Sequence, residues 1–190
     1  MKIIFPCFRL FLVLTFLTGI VYPLTVTALA QVLFHAQAQG SILTVQGKAV
    51  GSALLSQKTE SARYFWPRPS ADDYGTVASG ASNLGPGSAA LKKANADRVS
   101  KLDAAFSLPA DAKIPDDFVA ASGSGLDPDI SPEAARLQLD HVAQARGFSP
   151  EEKQELAALV QKQTQGPQLG FLGEPRVNVL LLNVALDRIK

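Results

Sequence analysis

Residues 10–33 read "LFLVLTFLTGIVYPLTVTALAQVL", and this apolar stretch decides how the rest of the chain is organised. Lys, Arg, Asp and Glu are absent between Arg9 and Lys48. A helix rises about 1.5 Å per residue, so about twenty of these residues would cross the hydrocarbon core of a bilayer. Lys2 and Arg9 precede the stretch. The positive-inside rule therefore predicts a membrane-spanning helix with its N-terminus in the cytoplasm.

A cleaved signal peptide is the alternative interpretation of the same stretch. The early basic residues, the apolar run and the "ALA" at 28–30 before Gln31 fit that pattern. The apolar run, however, is about twice as long as a usual signal core of 7–15 residues. We therefore expect the helix to be retained, and cleavage before Gln31 stays open as the alternative.

Small residues recur every four positions along the predicted helix, at Thr15, Gly19, Pro23 and Thr27. Residues with this spacing share one helix face, and small side chains allow a second helix to approach closely in lipid. Pro23 removes one backbone hydrogen bond, so we expect a kink there. The sequence thus predicts that this face packs against a partner helix.

The chain is predicted to consist of an N-terminal tail over 1–9, a transmembrane helix over 10–33 and an extracytoplasmic domain over 34–190. The formal net charge of the whole chain is +1, and basic residues are not interleaved with aromatic ones, which argues against nucleic-acid binding. Cys7, the single cysteine, precedes the membrane segment. The domain therefore has to be held together by packing, without disulfides.

Three helices of the domain are predicted from their capping residues. Ser88 is a suitable N-cap for a helix of about 18 residues that stops before Pro109. Ser131, followed by a proline, starts a second helix that we expect to end at Gly147. Ser149 opens a capping box for a third helix, which we expect to end at Gly166 and to form a helical hairpin with the second.

Strands are predicted where short apolar runs are bounded by turn formers. The segment 40–57 indicates one or two strands, and Tyr64–Trp66 and Phe118–Ala121 indicate one brief strand each. Val177–Val179 begins as an alternating strand in the middle of a sheet, and we expect a helical turn after it. The predicted fold class is α+β, with a small sheet and three main helices.

The loop "SGSGLDPDISPEAA", residues 122–135, superficially resembles an anion cradle at a helix start. Asp127 and Asp129 would repel an anion there, and the loop lacks the spaced ligands and terminal Glu of a calcium-binding hand. We therefore predict no metal or phosphate site. We expect the first half of the loop to be flexible and exposed, and interpret both aspartates as solvated turn residues that are candidates for contact with a partner protein.

The sequence shows no set of residues typical of catalysis. A secreted or membrane-anchored hydrolase would need His141 to activate a serine, and no Gly-x-Ser-x-Gly motif is present. A small-ligand binding protein is supported only by the aromatic run Tyr64–Trp66. Glu174 and Arg176, on either side of one proline, are predicted to form a local ion pair. Both alternative functions stay open on these residues alone.

Six strings, taken in order, resemble the C subunit of the bacterial Kdp potassium-transporting ATPase over about residues 18–187. They are "TGIVYPLTVTALAQVLF", "QGSIL", "YFWPRPSA", "SGASNLGPGS", "SGSGLDPDISPEAA" and "FLGEPRVNVLLLN". The chain departs from the usual pattern at Ser56, where glycine is usual, and at Ala120, where threonine is expected.

The resemblance implies a single-pass, non-catalytic subunit in the inner membrane of a bacterium, with its C-terminal domain in the periplasm. Its implied partners are a channel-like potassium-conducting subunit, a P-type ATPase subunit and a small membrane peptide. The family is also described as a catalytic chaperone that raises the ATP affinity of the ATPase subunit. ATP is then bound by that subunit, and no cofactor is expected on this chain itself.

Overall fold

A computed structural model of the chain describes residues 3–109 and 112–189. The chain divides into two compact units, Met1–Ile42 and Leu43–Lys190. Each unit is described by itself.

The first unit is a long apolar helix in three parts. Helix α1 spans Ile4–Phe16, a π-helical turn spans Leu17–Val21, and helix α2 spans Tyr22–Leu33; a short helix α3 follows at His35–Ala38. Together the first three parts form one 30-residue helix, Ile4–Leu33, that is long and apolar enough to cross a membrane. None of its residues is buried. The helix begins at Ile4, so it already includes Arg9 from the predicted tail.

Pro23 explains the π-helical turn. It lacks a backbone N–H, and in a regular α-helix its ring would crowd the carbonyl of Gly19, four residues earlier. The turn before it is wider, because the N–H of Tyr22 donates to the carbonyl of Leu17, five residues earlier. Wider turns of this kind accommodate a local mismatch inside an otherwise regular helix. The irregularity expected at Pro23 thus lies in the turn directly before it.

The described residues that follow helix α3 contain four longer helices, one short helix and five strands. The strands are β1 (Ile42–Val45), β2 (Lys48–Ser52), β3 (Asp129–Ile130), β4 (Thr164–Gln165) and β5 (Arg176–Asn178). The helices are α4 (Ala89–Phe106), α5 (Asp116–Val119), α6 (Pro132–Arg146), α7 (Pro150–Gln163) and α8 (Val179–Leu186). The predicted α+β class is confirmed, with α4, α6 and α7 as the three main helices.

Two small sheets are present among the described residues. Strands β1 and β2 form one of them, in the region predicted to hold one or two strands. The other has the order β3-β5-β4, with both pairings antiparallel. Val177 of β5 lies opposite both Ile130 and Thr164. β5 is therefore the central strand of its sheet, as predicted.

The predicted caps are confirmed. Ser88, Ser131 and Ser149 each accept a hydrogen bond from a backbone N–H in the first turn of α4, α6 and α7, respectively. Glu152 returns a bond to the backbone N–H of Ser149, which completes the capping box. Gly147 closes α6 with φ of +71°, a backbone conformation that glycine adopts without strain.

The core lies where α6 packs against α7 and α7 packs against α8, and the central strand β5 contacts all three helices. Its largest fully buried side chains are Phe65, Phe118, Ile130, Leu156, Leu182 and Leu186. On α4, Leu102 and Phe106 are buried, and Leu91 and Val99 are only partly so. On α6, Leu139 and Val142 are both buried.

Two predicted strands are wrong. Phe118–Ala121 is not a strand, because Asp116 and Asp117 follow Pro115 at the start of α5, where acidic residues favour a helix N-terminus. Tyr64–Trp66 pairs with no strand among the described residues, because the backbone groups of Phe65 and Trp66 bond instead to side-chain amides of Asn183 and Gln138.

Two predicted boundaries shift. Helix α7 ends at Gln163 rather than at Gly166, because Thr164 and Gln165 pair with β5. Helix α8 begins at Val179 and is longer than the expected helical turn. Asn178 caps it by accepting a hydrogen bond from the N–H of Leu181. The polar side chain at the end of β5 thus caps the helix that begins at Val179.

Candidate functional site

The loop 122–131 is held in place by three backbone hydrogen bonds to distant parts of the domain. The N–H of Ser122 donates to the carbonyl of Pro69 at 3.2 Å, and the carbonyl of Leu126 accepts from Ser56 at 3.0 Å. The carbonyl of Pro128 accepts from Val179 at 3.0 Å. Ser122 and Leu126 are buried. The expectation of a flexible, exposed first half is therefore wrong; only the tip of the loop is exposed.

Gly125 is where this loop approaches the neighbouring loop most closely. Its φ is +70°, and a Cβ at this position would lie 3.0 Å from the carbonyl oxygen of Gly80. Both the left-handed backbone and the close approach require glycine here. The two glycine-rich strings of the sequence, 79–88 and 122–135, thus meet in the fold.

Asp127 forms an ion pair with Arg68. The distance from Asp127 Oδ2 to Arg68 Nη1 is 2.8 Å, and both side chains are largely shielded, 31% and 24% exposed. Asp127 Oδ1 also accepts a hydrogen bond from the backbone N–H of Asp129 at 3.1 Å, which shapes the turn. The interpretation of Asp127 as a solvated turn residue is therefore wrong, because Arg68 approaches it from another loop.

Asp129 forms a second ion pair, with Arg176 on the neighbouring strand β5. Asp129 Oδ2 lies 3.1 Å from Arg176 Nε. Burial raises the pKa of Asp129 above its usual range; the Asp127 carboxylate adds to this, and Arg176 and Asn178 only partly offset it. Within the described part of the chain, Arg176 therefore pairs across the sheet with Asp129 and not, as predicted, with Glu174.

The helix that follows the loop is anchored by a third aspartate. Asp117 accepts hydrogen bonds from both the N–H and the hydroxyl of Ser131, at 2.7 and 2.9 Å. The same hydroxyl accepts from the N–H of Ala134 at 3.0 Å, as the N-cap of α6. Asp117 thus orients the cap and complements the positive end of the α6 dipole.

The three aspartates Asp117, Asp127 and Asp129 line a groove of about 440 Å³ together with Arg68 and Arg176. It is here called the acidic groove. Its charged residues are Arg68, Asp116, Asp117, Asp127, Asp129, Glu174 and Arg176. Five carboxylates face two guanidinium groups, so the groove is negative overall. Among the described residues, no group of three or more His, Cys, Asp or Glu side chains is arranged to hold a metal ion. With three more carboxylates than guanidinium groups, the groove presents a negative surface.

A smaller cavity of about 180 Å³ lies beside Trp66, whose indole ring contacts Phe106 edge-on at 4.9 Å between centroids. Lys101 and Glu60 form an ion pair at its rim, with 2.5 Å between Nζ and Oε1. Tyr74 also lines it, and burial, together with nearby carboxylates, raises the pKa of this phenol to about 12. Of the three cations that line this cavity, Lys58 pairs with Asp73 and Lys101 pairs with Glu60. Arg98 donates instead to Asn95 and to the backbone carbonyl of Val119.

His141 lies edge-on against Phe106, with ring centroids 4.6 Å apart. Its Nε2 is buried and has no hydrogen-bond partner among the described residues. Burial lowers the pKa of His141 below its usual range. A hydrolytic base needs a hydrogen bond to its nucleophile. His141 is instead a half-buried side chain packed against the core residue Phe106, and its lowered pKa favours the neutral form.

The small-residue face of the first unit crosses the π-helical turn. Thr15, Gly19, Pro23 and Thr27 are all exposed, and a Cβ added at Gly19 would meet nothing within 4 Å. The face that was predicted to pack against a partner helix is thus exposed along its whole length in this unit.

A family model described as KdpC, the c chain of K⁺-transporting ATPase, matches residues 4–188. The chain belongs to the KdpC family. A potassium-transporting ATPase KdpC subunit of Variovorax paradoxus is 50% identical over 189 residues, covering 98% of this chain and 96% of that protein. The corresponding subunit of Sorangium cellulosum is 52% identical over 185 residues, with 96% and 95% covered. That of Geobacter sulfurreducens is 46% identical over 194 residues, covering 100% and 99%.

Membership of the KdpC family confirms the resemblance drawn from the six strings and places the chain in potassium transport, as a subunit of the ATPase. The two arginines that bind the loop aspartates, Arg68 and Arg176, were not predicted as their partners from the sequence. Arg68 was visible in the string "YFWPRPSA", but nothing in its neighbourhood indicates a carboxylate 59 positions later. Arg176 was noticed and given the wrong partner. Knowing that β3 pairs antiparallel with β5 would have been needed to predict that Arg176 lies beside Asp129.

Proposed function

We propose that this KdpC-family chain is the non-catalytic accessory subunit of a high-affinity, ATP-driven potassium uptake complex. The observation that carries the proposal is the family match over residues 4–188, on a chain with one exposed apolar helix of membrane-spanning length. The role we propose is to stabilise the assembled pump.

We propose that the chain crosses the bacterial inner membrane once, with the N-terminus in the cytoplasm and residues 43–190 in the periplasm. Lys2 and Arg9 supply the positive charge on the cytoplasmic side. The helix is about 45 Å long at 1.5 Å per residue, against about 30 Å for the hydrocarbon core. That excess length supports a tilted span or a helix that continues into the interface.

The partners we propose are the channel-like potassium-conducting subunit, the P-type ATPase subunit and a small membrane peptide. The face formed by Thr15, Gly19, Pro23 and Thr27 is the proposed packing surface for a partner helix, since small residues there permit close approach. Asp127 and Asp129 belong to the second proposed contact. Because each is bound to an arginine, we assign that contact to the acidic groove as a whole.

We further propose that the chain raises the ATP affinity of the ATPase subunit without binding ATP itself. A periplasmic domain has no access to cytoplasmic ATP, so the effect has to pass through the membrane helices or through the assembled complex. Such coupling requires that the chain bind one conformation of the pump more tightly than another. The apparent ATP affinity and the affinity for this chain are then linked reciprocally.

The test compares the purified complex with and without this chain. We expect the chain-free complex to show a raised KM for ATP and reduced recovery of intact complex after detergent extraction. Adding back the purified full-length chain should restore both. An unchanged KM together with unchanged recovery would contradict the accessory role. A raised KM with unchanged recovery would keep the chaperone role and remove the assembly role.

A further inference from the structure

The strongest exposed apolar feature of the second unit is the turn 166–175, which reads "GPQLGFLGEP" and is here called the apolar turn. Leu169, Phe171 and Leu172 are 83%, 74% and 49% exposed. None of the three belongs to the hydrophobic core or to the residues packed against it. Three large apolar side chains thus stand in water within four positions, and a contiguous apolar patch of this kind typically marks an interaction site.

The apolar turn is ordered by its own backbone. The N–H of Gln168 and the carbonyl of Leu172 are 2.8 Å apart, and the N–H of Leu172 returns a bond to the carbonyl of Gln168 at 2.9 Å. Gly170 and Gly173 both have φ of +83°, which lets the chain reverse within so few residues. The side chains are therefore held outward in a defined arrangement, so little conformational entropy remains to be lost on binding.

The apolar turn leads directly into the acidic groove. Glu174, its penultimate residue, is exposed and lines the groove together with Pro175 and Arg176. Between Lys162 and Arg176 the sequence contains no Lys or Arg, and Glu174 is the single charge. The combined surface is an apolar tip beside a negative depression.

This charge pattern favours a protein over a lipid surface as the binding partner of the apolar turn. Segments that insert into the membrane interface combine apolar residues with Lys and Arg, which are attracted to anionic headgroups. Here the tip carries one negative charge and borders a groove with excess carboxylates, so an anionic surface would repel it. A protein surface with an apolar pocket and basic residues beside it is complementary to both halves.

We propose that the apolar turn inserts into an apolar pocket, bordered by Lys or Arg, on another subunit of the same potassium-transporting ATPase. Phe171 and Leu169 fill the pocket, and the basic border faces the acidic groove. This inference rests on the proposed function, and it adds a specific docking element in the second unit to the helix face in the first.

The experiment places a photo-cross-linking amino acid, p-benzoylphenylalanine, at position 171 or 169 of the full-length chain, co-expressed with the other subunits of the complex. Val77 is the matched control, because it is also an apolar loop residue and is fully exposed. Recovery of the unmodified chain with the tagged ATPase subunit is measured first, in the same membranes. Failure of that step would overturn the proposed function and this inference with it.

With that step passed, we expect irradiation at 171 and 169 to give one predominant cross-link, to a subunit of the complex, about tenfold stronger than the cross-link at Val77. Mass spectrometry of the cross-linked peptide should find apolar residues with Lys or Arg nearby. Cross-linking to lipid only, to a second copy of the chain, or equally from position 77 would overturn the docking claim while leaving the proposed function standing.

A second measurement asks whether the contact contributes to binding. The variant with both Leu169→Ser and Phe171→Ser leaves the core untouched, so it should fold like the parent. We expect the double variant to be displaced from the complex by competing parent chain about tenfold more readily, and Val77→Ser to behave as the parent. Equal displacement of both variants would overturn the claim that the turn is a docking element.

Discussion

The side-chain amide of Gln138 forms both backbone hydrogen bonds of Trp66. Its Oε1 accepts from the Trp66 N–H at 2.6 Å, and its Nε2 donates to the Trp66 carbonyl at 3.1 Å. Asn183 does the same for Phe65, at 2.8 and 3.0 Å. Two amides, one from α6 and one from α8, thus take the place of a neighbouring strand. These hydrogen bonds hold Phe65 and Trp66, which shortly precede Arg68, against helices α8 and α6.

Replacing Gln138 by Ala should destabilise the domain by about 2–4 kcal/mol, because two backbone groups of Trp66 lose their partners in a buried place. Trp66 is the only tryptophan of the chain, so its fluorescence reports the urea unfolding of this region directly. Gln144→Ala is the matched control on the exposed side of the same helix and should change the unfolding free energy by less than about 0.5 kcal/mol. If both substitutions lowered the unfolding free energy equally, the hydrogen bonds of Gln138 to the Trp66 backbone would have no special role in stability.

The helices were predictable from sequence because their signals are local. Ser131, Ser149 and Gly147 act on backbone groups within three or four positions, and periodicity along α6 identifies its buried face. The segment Tyr64–Trp66 was misassigned because its partners, Gln138 and Asn183, lie 72 and 118 positions away. A buried glutamine in a helix carries no local mark that distinguishes it from a solvated one.

The candidate site was predictable only in part, for the same reason. The loop residues Asp127 and Asp129 were identified from their string, but their environment is set by Arg68 and Arg176, which come from other elements. The apolar character of the turn 166–175 is plain in the sequence. The exposure of these apolar side chains could not be predicted, because large apolar residues are most often buried in the core.

Replacing Asp127 by Ala should leave the shielded Arg68 guanidinium without its carboxylate, and we expect a loss of about 1–2 kcal/mol in unfolding free energy. Asp97→Ala breaks an exposed pair with Lys93 on α4, and it should cost about 0.5 kcal/mol or less. The unfolding free energies of the parent and of both variants are measured by urea unfolding at low and at high salt. If the two variants lost the same stability, the Arg68–Asp127 pair would have no special structural role.

The lowered pKa of His141 predicts a pH dependence of stability. The unfolded chain binds the proton at a higher pH than the folded chain does, so stability should fall as pH drops through the ordinary histidine range near about 6.5. His141→Leu should lose less stability than the parent when pH is lowered from 7.5 to 5.5. All other ionisable groups are shared, so the difference belongs to position 141. Identical pH profiles would contradict a lowered pKa of His141 in the folded chain.

Enlarging the small-residue face should separate the chain from its partners without unfolding the second unit. We expect Thr15→Leu combined with Gly19→Leu to lower co-purification with the ATPase subunit severalfold, because the larger side chains prevent close helix approach. Val13→Leu adds bulk two positions from Thr15, on the opposite side of α1, and should have little effect. Unchanged co-purification of the double variant would contradict packing through this face.

The domain's location can be tested with single cysteines, since Cys7 is the only native one. In a Cys7→Ser background, Ser100→Cys on the exposed side of α4 should react with a membrane-impermeant maleimide in intact spheroplasts. Lys2→Cys should react only after the membrane is permeabilised. The reverse pattern would place the domain in the cytoplasm and contradict the proposed topology.

The central claim is that this chain is a retained, single-pass subunit of a potassium-transporting ATPase. The most direct measurement is the intact mass of the chain purified from native membranes, together with the identity of the proteins that stay bound to it. We predict the full-length mass of about 20.2 kDa and a P-type ATPase subunit bound in constant ratio through size-exclusion chromatography. A shorter chain that begins at Gln31 and elutes without an ATPase subunit would contradict the account.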